Sequence, residues 1–108
     1  MKVNVLGTEY EIVETSQNED ASLEDRDGYC DTSIKKCVVD EMTESGADAK
    51  KNIPEYKKSV KRHELIHAFL YESGLDVCSS WAKDEIAVDW IAIQFPKMLK
   101  AFKEADAL

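Results

Sequence analysis

Two histidines four residues apart, with a glutamate directly after the first, stand in Val60-Lys61-Arg62-His63-Glu64-Leu65-Ile66-His67-Ala68-Phe69-Leu70, and the chain has no other histidine. On an α-helix successive residues turn by about 100°, so positions i and i+4 lie almost above one another. His63 and His67 can then reach one Zn2+, with Glu64 beside them to take a proton from a water that the metal activates. H-E-x-x-H is short enough to arise by chance. Its weight here comes from taking up every histidine of the chain inside a stretch that reads as helix.

A hydrolytic zinc site has three protein ligands and an open position. With no third histidine, the candidates are carboxylates and thiols. Glu85 and Asp89 form an i, i+4 acidic pair on an otherwise apolar helix, where unsatisfied carboxylates would be costly. Asp84 is turned about 100° away from Glu85 and suits a helix N-cap. Cys78 lies in a connector and is the weaker thiol candidate.

His63-Glu64-x-x-His67 followed by Glu85-Ile86-Ala87-Val88-Asp89 resembles the gluzincin metallopeptidases, whose pattern is HExxH on one helix and ExxxD on the next. The resemblance implies that His63, His67 and Glu85 hold zinc and that Glu64 is the general base. Asp89 would orient a ligand histidine from behind. The size and the sheet-then-helices order are also similar to short HExxH proteins of phages and mobile elements, related in style to ImmA/IrrE-type peptidases. The match covers roughly residues 54–95. Thermolysin-like enzymes add a histidine that stabilises the oxyanion, and this chain has none to spare. Tyr71, on the histidine stripe, Tyr29 and Tyr56 are candidates to substitute, and no spacing rule singles one out.

The elements that must position these residues are expected within one α+β domain of residues 1–108, a minimal zincin-like layout with 1–41 mainly sheet and 53–105 mainly helical. The sheet is expected to be antiparallel, made of two hairpins. In the first, Gly7-Thr8 suits a two-residue type II′ turn that sets Val5 opposite Tyr10 and Val3 opposite Ile12. In the second, Gly28-Tyr29-Cys30 and Ile34-Lys35-Lys36-Cys37-Val38-Val39 flank a turn at Asp31-Thr32-Ser33. Residues 15–27 read as a polar surface loop, and Ser45-Gly46 marks another.

Pro54 fits a first helical turn and Gly74 a left-handed stop after Ser73. Tyr56, Val60, His63, His67 and Tyr71 fall on one stripe of that helix, with Lys57, Lys58 and Lys61 opposite as a solvated face. A second helix begins near 80–84 and carries Ile86, Val88, Trp90, Ile91, Ile93 and Phe95 all round, the pattern of a buried helix. Pro96 is expected to kink or end it.

Composition sets the outer limits. The chain is 44% apolar with a net charge of −8, which argues against nonspecific nucleic-acid binding. No apolar run is long enough for a membrane span, and the first fifteen residues carry no signal-peptide core. Cys30, Cys37 and Cys78 lack a C-x-x-C spacing and read as reduced thiols of a cytoplasmic protein, although Cys30 and Cys37 can pair if they face each other across a hairpin. The expected partner is a peptide or protein substrate, held along an edge strand at Cys37–Asp40. A rival reading keeps the zinc without catalysis, as a zinc-stabilised interaction module of a phage or mobile element. Glu64 argues against it, because a purely structural site needs no base.

Overall fold

A computed structural model describes residues 1–43 and 50–108; the loop mark Ser45-Gly46 lies outside them. The architecture is α+β, with strands first and helices after. Strands β1 (Lys2–Val5), β2 (Thr8–Thr15), β3 (Gly28–Asp31) and β4 (Lys36–Asp40) form one mixed sheet in the order β1-β2-β4-β3.

The sheet departs from an all-antiparallel one at its centre, where β2 and β4 pair in parallel, Ile12 opposite Cys37 and Val13 opposite Val38. Cys37, Val38 and Val39 are all buried, and a continuous apolar run needs cover on both faces and neighbours on both edges. β4 is therefore an inner strand and cannot hold a peptide. The free edges are β1 and β3.

Both hairpins are present, each with a corrected turn. In the first, Leu6 and Gly7 take positive φ of 51° and 94°, a type I′ arrangement, and the Asn4 Oδ1 accepts the Gly7 N–H at 2.8 Å. Val5 then pairs with Thr8 and Val3 with Tyr10. The slip is two residues, so Val3, Val5, Tyr10 and Ile12 still share the inner face. In the second, the turn reaches to Lys35, and Ile34 is exposed rather than in the strand.

The 16–27 segment is not free surface. It carries a short 3-10 turn, Ala21–Leu23, capped by Asp20, and buries Leu23. Asp20 also accepts the Tyr29 hydroxyl, tying the segment to β3.

Helix α1 (Ile53–Glu72) starts where Pro54 predicts, with the Asn52 side chain accepting the Glu55 N–H, and Gly74 follows it at φ 88°. It lies on the sheet, packing Ala68 and Leu65 against Val5, Tyr10, Ile12 and Cys37. Of the lysines expected on a solvated face, Lys58 is exposed, whereas Lys57 and Lys61 are half-buried and reach Glu14 on β2, at 3.4 and 3.3 Å. At the other end Glu72 accepts from Thr8 Oγ1, Tyr10 OH and Lys35 Nζ at 2.8, 2.9 and 3.0 Å. This satisfies the polar end of a wholly buried tyrosine.

After the short α2 (Leu75–Cys78) and a 3-10 turn at Ser80–Lys83, helix α3 (Glu85–Glu104) begins at Asp84, which caps the Ile86 and Ala87 N–H groups. On α3 one expectation fails, and of the two effects expected at Pro96, a kink or an end, the end does not occur. The helix is not buried: only Val88 and Ala92 are, while Ile86 is 82% and Trp90 58% exposed. Proline lacks the N–H that would bond the Ala92 carbonyl, and Arg62 of α1 donates its Nε–H to that oxygen at 2.6 Å instead. Among the described residues, no helix is long and apolar enough to cross a membrane.

Candidate metal centre

The α1 stripe faces β3 on one side and α3 on the other. Helical spacing stacks His63 and His67, whose rings meet edge to face with Nε2 atoms 3.2 Å apart. The capped first turn of α3 brings Glu85 across: Oε2 lies 2.8 Å from His63 Nε2 and Oε1 3.0 Å from His67 Nε2. Asp89, one turn later, puts Oδ1 3.1 Å from His63 Nδ1.

Two imidazole nitrogens and a carboxylate oxygen are a donor set that zinc takes. With bonds of about 2.0–2.1 Å, neighbouring ligands of a tetrahedral zinc lie about 3.3 Å apart. The two imidazole Nε2 atoms, 3.2 Å apart, match that edge length, and Glu85 sets Oε2 2.8 Å from the first and Oε1 3.0 Å from the second, so the residues fit the ion once a single carboxylate oxygen turns to both. His67 favours the same role: burial holds its pKa below the ordinary value, against the pull of Glu85, and so favours the uncharged ring that a metal needs.

Glu64 is 8% exposed and is the one buried charged residue among those described. Burial pushes its carboxyl up to about 7; His63 opposes the rise, Glu85 adds to it and Arg26 opposes it. Glu64 lies between two cavities, of about 460 and 660 Å³, that meet over Gly28. Tyr29, Cys30, His67 and Tyr71 line the first, and Asp27, Tyr56, Arg62 and His63 the second. Together they make a groove along β3.

Sequence reasoning missed three contributors. Gly28 sits so close to β4 and α1 that a Cβ there would come 2.8 Å from the Val38 carbonyl of β4, and 3.1 Å from Val60 and 3.3 Å from the Glu64 Cγ of α1. Arg26, in the supposed polar loop, is the guanidinium that favours ionised Glu64. Arg62 ties the two helices together. A glycine opening a strand was a visible hint for Gly28; the two arginines carried no local signal.

The remaining candidates sort by their partners. Tyr29 and Tyr56 donate to Asp20 and Asp27, and burial with those carboxylates pushes both phenols up to about 12. The Tyr71 hydroxyl has no partner among the described residues, while Lys35 Nζ sits 4.9 Å from its ring centre. Asp84 caps α3 and stays out of the cluster. Cys78 is exposed and bonds the Gly74 carbonyl. Cys30 and Cys37 do face each other across the β3–β4 hairpin, with free thiols 3.6 Å apart.

Comparison with protein-family models, curated proteins and solved structures finds no match to this chain.

Proposed function

We propose that this protein is a zinc-dependent peptidase of the gluzincin type, with His63, His67 and Glu85 as metal ligands. The observation that carries the reading is the meeting of those three residues around one point, beside a buried Glu64 and a groove open at a strand edge. Bound zinc would supply Lewis acidity toward a water and a peptide carbonyl. The chain's own residues do the rest. Glu64, with a carboxyl near neutrality in the metal-free chain, accepts the water's proton and returns it to the leaving amine. Asp89 accepts from His63 Nδ1–H, which leaves Nε2 as the donor to the metal. Tyr71, which lines the first cavity and whose hydroxyl has no partner among the described residues, is the candidate to steady the developing oxyanion. The outer edge of β3, rather than β4, supplies main-chain groups for an extended peptide.

The test is cleavage of a mixed peptide library by the zinc-loaded protein, followed by mass spectrometry, against Glu64→Gln. The amide keeps the shape and cannot take the proton, so the variant should hold zinc and cut nothing. A variant as active as the parent would remove Glu64 from its role. The exposed apolar face of α3, with Ile86 and Trp90 beside the site, favours a second reading as a zinc-stabilised interaction module. Zinc binding without any cleavage by the parent would select it.

A further inference from the structure

We infer that Arg62 is the positioning residue of the metal centre, holding α3 in the register that brings Glu85 to the histidines; this rests on the metal reading above. Three contacts run along one face of α3 at i, i+4 and i+7: Glu85 with His63 and His67, Asp89 with His63, and the Ala92 carbonyl with Arg62. Arg62 and His63 are neighbours on α1, so the arginine contact is the far anchor of the row that ends at the metal ligands.

The anchor is built by Pro96. In an uninterrupted helix the Ala92 carbonyl would be taken by the N–H four residues on. Pro96 has none, and Ala92 is fully buried, so the carbonyl needs a donor that water cannot readily provide. Arg62 is that donor, and its charge strengthens the bond. Apolar packing alone specifies little here, because Val88 and Ala92 are the only fully covered side chains of α3. Such a contact lets one helix slide on another, whereas a hydrogen bond to one particular carbonyl does not. A slide of one residue would carry Glu85 about 1.5 Å along the axis and turn it by about 100°, out of reach of both imidazoles.

The experiment separates positioning from simple satisfaction of the carbonyl. Arg62→Met keeps the aliphatic stem and loses the donor; Pro96→Ala gives the carbonyl an intrahelical N–H. Zinc affinity is measured on the full chain by competition with a chelator of known affinity, and metal-free melting temperature alongside it. Arg62→Met should bind zinc roughly 10–100-fold more weakly, the usual cost of losing a residue that orients a ligand. In Arg62→Met/Pro96→Ala the melting temperature should recover while zinc affinity stays low, because the new bond lies inside α3 and does not tie it to α1. Should Arg62→Met fail to fold, Pro96→Ala with and without it carries the same comparison. Equal zinc affinity with and without Arg62, or full recovery of affinity in the double variant, overturns the inference alone. A parent chain that holds no zinc overturns the metal reading, and the inference with it.

Discussion

Asp89 and Glu85 face opposite nitrogens of one ring: Asp89 Oδ1 is 3.1 Å from His63 Nδ1, and Glu85 Oε2 is 2.8 Å from His63 Nε2. Both carboxylates come from the first turns of α3 and the ring comes from the middle of α1, so the imidazole is held through Nδ1 by Asp89 while its Nε2 faces Glu85. A metal at the Nε2 side would find the ring already aimed.

The first expectation concerns the metal itself. Protein purified without chelators should carry about one zinc per chain by elemental analysis. Zinc at a hundred times its Kd adds about 2.7 kcal/mol to the native state, a shift of roughly 10 °C or more for a domain of this size. A melt unchanged by chelation, from protein in which no zinc is found, would sink the site.

The two carboxylates and the cap should rank differently. Glu85→Ala removes a ligand and should abolish tight zinc binding. Asp89→Asn keeps the ring's neighbour but weakens its acceptor, and should cost roughly 10–100-fold in affinity. Asp84→Ala should leave zinc in place and cost about 1 kcal/mol of stability as a lost cap. Chelator competition orders the three, and Asp89→Asn as the most severe would make Asp89 the ligand.

Gly28→Ala tests the close approach of β3 to β4 and α1. The added Cβ meets the Val38 carbonyl at 2.8 Å, and a backbone atom of the neighbouring strand cannot swing aside. The strand must lift, at a cost of about 1–3 kcal/mol for overpacking, read as a lower urea midpoint. An unaltered midpoint would show that Gly28 is not pressed against Val38 of β4 and Val60 and Glu64 of α1.

The acid limb of stability should report on Glu72. Lys35, then Thr8 and Tyr10, hold its carboxyl below the usual range, against the effect of burial. A carboxyl lowered in the folded state stabilises above its unfolded pKa of about 4.3 and loses that contribution as pH falls through the folded value. Between roughly pH 5 and pH 3 the urea midpoint of the parent should therefore fall more steeply than that of Glu72→Gln. Parallel slopes would remove Glu72 from the account.

What was legible in the sequence was local. Pro54 and Gly74 bounded α1, Asp84 marked the start of α3, and alternation along residues 3–12 placed the inner face of the first hairpin despite a register two residues off. Neighbours across space were not legible. Alternation says which way a side chain points and nothing about which strand lies beside it, so the parallel pairing of β2 and β4 escaped, although the unbroken run Cys37-Val38-Val39 hinted at an inner strand. The apolar circumference of α3 suggested burial, yet one helix and a few turns supply too little cover. Pro96 was read by its usual effect because its rescuer, Arg62, lies on another helix.

The parallel β2–β4 pairing also bears on how the chain folds. Each hairpin closes over a short turn, but joining them requires the whole 16–27 excursion to be drawn in, a larger loss of chain entropy. Contacts so distant in sequence are slow to form, and α1 needs residues from both hairpins, Tyr10 and Ile12 from one and Cys37 from the other, before it has a surface to rest on. The candidate metal centre, between α1 and α3, is thus assembled late. Truncations between those helices, such as Val88→Ala, should accordingly speed unfolding much more than they slow refolding in stopped-flow measurements.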